Sequence, residues 1–228
     1  MITNERQKPE ITWRAGDVPV STRFDDSYFA LADGLDEARH VYLAGNDLPT
    51  RFVPGFQIAE LGFGTGLNAL AAAQAWRSSQ IPGALSYISF EAYPIEVEAM
   101  ERALSAWPEL APLAQPLIRA WKAGARFIEL PGLQLTVVEG DARNMLTHWN
   151  GKAHAWFLDG FSPARNPELW EPALMAQVAR HTAPGGTFAT YSAASAVRRT
   201  LDSVGFKVVR VEGFDTKRHM SRGKLRAT

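Results

Sequence analysis

Ile58–Asn68, IAELGFGTGLN, reads as a buried strand that passes through a glycine-rich turn straight into an alanine-rich helix. Gly62, Gly64 and Gly66 alternate with Phe63 and Thr65, a spacing that lets the backbone take crowded or left-handed conformations. It also lets a ligand approach main-chain N–H groups with no Cβ in the way. A dinucleotide fingerprint, G-x-G-x-x-G/A, needs a third small residue where this chain has Leu67, which disfavours nicotinamide and flavin cofactors. A phosphate-cradling loop needs Gly-Lys-Ser/Thr, and Gly66-Leu67-Asn68 supplies no lysine.

Glu60 stands two residues before the first glycine, and a carboxylate there suits a cation better than a phosphate. S-adenosylmethionine carries an ammonium and a sulfonium and no phosphate. The segment resembles the first motif of class I S-adenosylmethionine-dependent methyltransferases, E-x-G-x-G-x-G, at all four defined positions. The plainer alternative is a glycine turn that only lets a helix pack closely on a sheet.

The chain around this turn has 228 residues, which fits one domain with a substantial core. It is 46% hydrophobic and 21% charged, with 24 basic and 24 acidic residues and no cysteine. Disulfides, thiolate metal sites and cysteine nucleophiles are therefore excluded, and no net field draws the whole protein to nucleic acid. MITNERQKPEITWR lacks the apolar core of a signal peptide and no run reaches membrane-span length, so a cytoplasmic protein without membrane contact is expected.

Residues 1–55 read as an N-terminal segment packed on the same domain as 56–228. Asp25-Asp26-Ser27-Tyr28-Phe29 precedes Gly34, the helical-looking Leu35–Tyr42 and the turn Gly45-Asn46-Asp47-Leu48-Pro49. Its aromatics either cap the core or line the active site, with Asp25, Tyr28 and Asn46 as substrate contacts. Beyond the glycine turn the pattern predicts a helix over Leu67–Arg77, a strand over Leu85–Phe90 ending at Glu91, and a helix over Ile95–Leu104. Residues 105–132, with Pro108, Pro112, Pro116 and Pro131, read as short broken helices inserted beside the sheet. Leu133–Val138 and His154–Leu158 are strands; Asn166-Pro167 opens a helix through Leu169, Trp170, Leu174 and Val178. Thr187–Tyr191, Ser195–Val204 and Lys207–Val211 continue as strand, helix and strand. The β-α-β-α order predicts an α/β, doubly wound, mostly parallel sheet.

Glu60, Glu91, Asp141 and Asp159 each stand just past the carboxyl end of an apolar strand, the edge at which open α/β sheets bind ligands. Each alone reads as a loop acid or helix cap. Together they match an acid for the amino-acid end of S-adenosylmethionine, one for ribose, one near the adenine amino group and one beside the methyl. The five histidines show no paired metal spacing and no serine–histidine–acid set is evident, so neither a metal nor hydrolase chemistry is expected.

FLDGFSPARNPELW at 157–170 resembles the central motif of the methyltransferase domain of the bifunctional tRNA 5-methylaminomethyl-2-thiouridine biosynthesis proteins and their stand-alone relatives. FDDSYFALADGLDEARHVYLAGNDLPTRF at 24–52, AELGFGTGLN at 59–68, FATYSAASAVRRTLDSVGF and GFDTKRHM carry the same resemblance. Residues 111–132 depart from the family pattern, and 214–220 follow it only around Lys217-Arg218 and Met220. The resemblance implies the seven-stranded class I fold and methylation of the amino group of 5-aminomethyl-(2-thio)uridine at the tRNA wobble position. It also implies that the oxidoreductase half is lacking here and resides in a separate flavin-dependent partner. Cofactor contacts are expected from Glu60, Gly62, Phe63, Gly64, Thr65, Gly66, Asn68, Glu91, Asp141, Ala142 and Asp159. Asp159 is expected at the methyl, with Phe161 and Pro163 shaping an apolar slot. Nine Lys/Arg against three acids between Ala196 and Thr228 suit a phosphate backbone, with Arg198, Arg199, Lys217 and Arg218 as tRNA contacts, or else form a solvated charged face. A methyltransferase for a small amine or a protein, and a non-catalytic module keeping the fold, are the other readings.

Overall fold

The computed structural model describes residues 9–30 and 33–227; the stretch before Pro9, on which the reading of the N-terminus partly rests, lies outside the described residues. Ile11–Arg14 (β1), Val18–Ser21 (β2) and Asp26–Ser27 (β3) form a small antiparallel sheet in that order. Gly34–Glu37 (α1) starts at Asp33, whose carboxylate caps the Leu35 and Asp36 N–H groups. It continues into the wider π-type turns of Ala38–Leu43.

The main sheet is built from Gln57–Leu61 (β4), Leu85–Glu91 (β5), Phe127–Leu130 (β6), Leu133–Glu139 (β7), Ala153–Leu158 (β8), Thr182–Thr190 (β9), Phe206–Glu212 (β10) and His219–Leu225 (β11). Their spatial order is β10-β11-β9-β8-β4-β5-β7-β6. Pairing is parallel from β7 through β5, β4 and β8 to β9, and antiparallel at both margins. β4 lies between β5 and β8, so the winding reverses there, and a crevice opens at the carboxyl ends of the strands. Leu67–Ser78 (α2) packs its buried Ala69, Ala71, Ala72 and Ala73 close to the sheet, which their small side chains permit. Val97–Leu104 (α3) and Ala111–Lys122 (α4) share the apolar cluster that holds α2. Ala142–Met145 (α5), Pro172–Arg180 (α6) and Ser195–Ser203 (α7) contribute to the second cluster, which holds β8 Trp156 and Leu158. Among the described residues no helix is long and apolar enough to cross a membrane.

Four expectations change. The sheet has eight strands, the added one being the edge strand β6 inside the stretch read as an insertion. That stretch is not broken helix throughout: α4 runs unbroken with Pro112 in its first turn, where the N–H would be unpaired anyway, and Pro116 inside. Leu113, Ala114, Leu117 and Trp121 of α4 are buried, so packing offsets the hydrogen bond that Pro116 cannot make. The helix expected from Asn166-Pro167 is a 3-10 turn, Pro167–Trp170, followed by α6, because Pro172 forces Glu171 into extended geometry (ψ 146°). The basic C-terminal residues do not form one continuous stretch but are spread over α7 (Arg198, Arg199), β10 (Lys207, Arg210), the turn after it (Lys217, Arg218) and β11 (Arg222, Lys224), which inserts between β9 and β10.

Candidate active site

The carboxyl ends of the central strands open into a cleft of about 1050 Å³, walled on the far side by β2, β3 and α1. Gly62 (φ +90°) donates its N–H to the Phe90 carbonyl at 2.9 Å, and a Cβ there would collide with the Asp159 carbonyl oxygen. The close parallel pairing of β4 with β8 thus demands this glycine before any ligand is considered. Gly64 (φ +52°) donates its N–H to Glu91 Oε2 at 2.9 Å, and a Cβ there would stand 3.1 Å from Tyr28 Cδ1. At Gly66, which starts α2, a Cβ would meet Phe63 and Leu117; Phe63 in turn stacks on Trp121 at 5.1 Å. The region of 111–132 therefore buttresses the glycine turn from behind.

Glu91 is buried at the cleft wall and accepts from the Gly64 and Tyr93 N–H groups at 2.9 and 2.7 Å. Burial pushes its carboxyl up, and the backbone N–H groups around it oppose that rise. Asp141 caps α5 through the Arg143 N–H and pairs with the Arg143 guanidinium at 2.6 Å; that hydrogen bond holds its carboxyl below the usual range. Asp141 and the buried Ala142 both line the cleft, as do Phe63 and Thr65.

Asp159 is the centre of the floor. Tyr42 Oη donates to its Oδ1 at 2.5 Å and Asn68 Nδ2 donates to its Oδ2 at 2.6 Å. Asn68 spends its other amide hydrogen on Glu60 Oε1 at 2.9 Å, and Ser89 donates to Glu60 Oε2 at 2.7 Å. Burial pushes the Asp159 carboxyl from 3.8 up to about 7, with the Tyr42 hydrogen bond the main opposing influence. Burial holds Glu60 well above the ordinary range too, reinforced by Asp159. Glu60, fully buried, does not line the cleft. The expected direct contact to a ligand is corrected: Glu60 sits behind Asn68 and reaches the cleft only through it.

Phe161 stacks on Phe24 (4.7 Å, 25°) and meets Tyr28 edge-on at 5.2 Å, forming an aromatic wall. Pro163 lies in the next turn, outside the lining. Asp25, in a left-handed conformation, points outward to Arg165 at 2.6 Å; it is Asp26 that faces the cleft, accepting from Ser162 N–H at 2.8 Å. Asn46 is buried away from the cleft, donating to the Tyr42 and Trp156 carbonyls and accepting from Thr187 Oγ1, so its work is to hold the helix against β8 and β9. Lys217 lines the cleft, whereas Arg198, Arg199 and Arg218 stand outside it; Arg198, Arg210 and Arg218 lie within electrostatic range of His219 near the cleft-side ends of β10 and β11. Among the other basic residues of this region, Arg222 pairs with Asp47 and Arg226 with Asp202.

Tyr42, Glu37, Tyr191, Asp26 and Phe24 all line the cleft without having been singled out from sequence. Glu37 and Tyr42 are five residues apart, about 140° apart on an α-helix, so regular periodicity separates them. The π-type turns that bring both to the cleft have no sequence period to announce them. The five-residue spacing inside 24–52 was the signal available.

The S-adenosyl-L-methionine-dependent methyltransferase family model matches residues 108–226. The tRNA 5-methylaminomethyl-2-thiouridine biosynthesis bifunctional protein MnmC of Stutzerimonas stutzeri (strain A1501) is 41% identical across 97% of this chain and 35% of its own length. The MnmC of Caulobacter sp. (strain K31) is 43% identical across 91% of this chain and 37% of its own. The chain thus spans about a third of the length of these curated relatives. Among solved structures, MNMC2 from Aquifex aeolicus shares the fold, with a TM-score of 0.75 at 24% identity, covering 99% of this chain and 72% of that one. The glycopeptide N-methyltransferase MtfA complexed with sinefungin has a TM-score of 0.50 at 16% identity, covering 87% and 96%. With the matched region extending over more than half of the chain and the glycine turn gathered with Glu91, Asp141 and Asp159 at one cleft, this chain belongs to the S-adenosyl-L-methionine-dependent methyltransferase family.

Proposed function

We propose that the chain methylates the amino group of 5-aminomethyl-(2-thio)uridine at the wobble position of tRNA, as the methyltransferase part of the pathway named by its relatives. The single observation that carries this is the Asp159 carboxylate, held at the cleft floor by Tyr42 and Asn68 and bordered by the Phe24–Phe161–Tyr28 aromatic wall. A cationic amine carried on a planar base needs that pairing of acid and ring faces.

The cleft fits S-adenosyl-L-methionine, the cofactor of the family. Seven acids against four Lys/Arg line it, which suits a ligand bearing an ammonium and a sulfonium. The Gly62–Gly66 turn would hold the amino-acid end, together with Asn68; Glu91 would take the ribose, and Asp141 and Ala142 the adenine. When bound, the cofactor supplies an electrophilic methyl on sulfur. The chain's residues then have three tasks: to hold the amine in line, to keep water away and to manage one proton. Positioning can lower the barrier by as much as ~7–11 kcal/mol. An alkylammonium near 10.4 gives its proton to a carboxyl near 7 only against a gradient of over a thousandfold, so orientation of the amine is the larger contribution of Asp159. Phe161 bounds the slot, with Tyr28 behind it.

For tRNA, Arg198, Arg199 and Arg218 support a phosphate-contact reading, since α7 begins just past the carboxyl end of β9 and Arg218 precedes β11 beside the cleft. A separate flavin-dependent enzyme would supply the aminomethyl group. The test is methylation of tRNA carrying 5-aminomethyl-2-thiouridine, read by nucleoside mass spectrometry beside the free nucleoside. Appearance of 5-methylaminomethyl-2-thiouridine with a strong preference for tRNA is the expected result; turnover of unrelated amines alone would refute it.

A further inference from the structure

At one end of the cleft Lys217 reaches from the turn between β10 and β11 across to α1. Its Nζ lies 2.6 Å from Glu37 Oε1 and 4.1 Å from the centroid of the Tyr191 ring. Both partners are fixed independently of the lysine. The second Glu37 oxygen accepts the Ala30 N–H at 2.7 Å, and the Tyr191 hydroxyl donates to the Gly160 carbonyl at 2.8 Å. A carboxylate and an aromatic face converging on one –CH2–NH3+ group is recognition chemistry for a primary alkylammonium. The corner adjoins the transfer point, since Tyr191 bonds the carbonyl of Gly160, the residue after Asp159, and Glu37, Tyr42, Asp159 and Lys217 line one cleft. The Glu37 side chain is only 8% exposed, whereas that of Lys217 is 40% exposed on a hairpin turn and can leave without disturbing the core.

We propose that Glu37 and Tyr191, beside Asp159, complete the receptor for the substrate's aminomethyl cation, that Lys217 occupies their corner as a surrogate alkylammonium in the free protein, and that substrate binds by displacing Lys217. The assignment of the substrate rests on the function proposed above; the receptor's taste for a primary alkylammonium does not. The exchange swaps one cation for another, so the buried Glu37 carboxylate keeps a partner throughout. It also confers selectivity, because a neutral hydroxymethyl group cannot take the lysine's place. Once released, Lys217 joins Arg218 at the cleft rim, where phosphate contacts become available to it.

The experiment is calorimetric titration of ethylammonium chloride into the full chain and its Lys217→Ala variant. Were Lys217 seated about nine-tenths of the time, its removal would raise the apparent affinity about tenfold, and any rise above wild type is the expected direction. Glu37→Gln added to Lys217→Ala should return the affinity to the wild-type level or below, with thermal melts reporting that both variants fold. Equal or weaker ethylammonium binding by Lys217→Ala overturns the proposal. In Lys217→Ala, 5-aminomethyluridine is then titrated against ethylammonium. Competition supports the assignment of the substrate's aminomethyl group to this receptor; tight ethylammonium binding without competition overturns that assignment while leaving the alkylammonium receptor standing.

Discussion

Replacing Asp159 by Asn should change stability in a manner that depends on pH. The Asp159 carboxyl is raised from 3.8 to about 7, chiefly by burial, so the folded protein binds this proton more tightly than the unfolded chain does. The stability tied to that proton is whole below pH 3.8 and is lost as pH rises through about 7. The full loss is about 4 kcal/mol, of which about 3 kcal/mol falls between pH 5 and pH 9. Asparagine does not ionise, but its amide puts a donor where Tyr42 or Asn68 requires an acceptor, at a cost of ~1–3 kcal/mol at every pH. The variant should therefore be close to wild type at about pH 5 and more stable by ~1–3 kcal/mol at about pH 9. Urea unfolding of the cofactor-free proteins at both pH values, with equal m-values, measures this. Single-turnover methylation should fall on the order of 10²-fold if Asp159 also takes up the proton. A stability difference that is the same at both pH values, or that moves the other way, refutes the buried-carboxylate account.

Four further outcomes follow from the same geometry. Gly64→Val should remove cofactor binding while leaving far-UV circular dichroism intact, because a β-branched residue is strained at φ +52° and crowds Tyr28; near-normal calorimetric affinity would contradict it. Glu91→Ala should weaken cofactor binding by roughly 1.5–3 kcal/mol, and a change below about twofold would reduce Glu91 to a cap for the Gly64 and Tyr93 N–H groups. Tyr42→Phe deletes the hydrogen bond that most opposes the rise at Asp159, so any Asp159-dependent limb of the pH–rate profile should move above about pH 7; an unmoved limb excludes the contact from the chemistry. Asn46→Ala should cost ~1–3 kcal/mol in denaturant unfolding, with cofactor affinity unchanged, since it breaks buried hydrogen bonds that never reach the cleft; lost affinity without lost stability would argue otherwise.

Local sequence, although not sufficient for β6 or β11, was sufficient for the glycine turn, the central strands β4, β5, β7 and β8, and the acids Glu91, Asp141 and Asp159 at strand ends. Each of these is written in neighbouring residues: alternating glycines, apolar runs of strand length, and an acid where such a run stops. Reading Asp159 and Glu91 as cleft residues needed only that information, whereas Asn68 and Phe161 were expected from the family resemblance. What it could not supply was depth and direction. Glu60 and Asp159 look alike in sequence, yet Asn68 lies over the first and beside the second, and only the register of β4 against β8, which leaves Glu60 inside its strand and Asp159 past the end of its own, decides which acid meets the cleft. Asp25 and Asp26 are adjacent, and the left-handed backbone at Asp25 turns one outward and leaves the other inside. Tyr42, Glu37 and Tyr191 join the site through π-type turns and a contact between segments more than a hundred residues apart. Lys217 reaches Glu37 only because β11 inserts between β9 and β10 and carries its turn back to α1. The sequence by itself determined which local units form and what chemistry each strand end offers, since short-range sterics and hydrophobic period set both. The tertiary structure alone decided which acids are buried, which are paired and which share a cleft, because burial and pairing depend on neighbours brought together from distant parts of the chain.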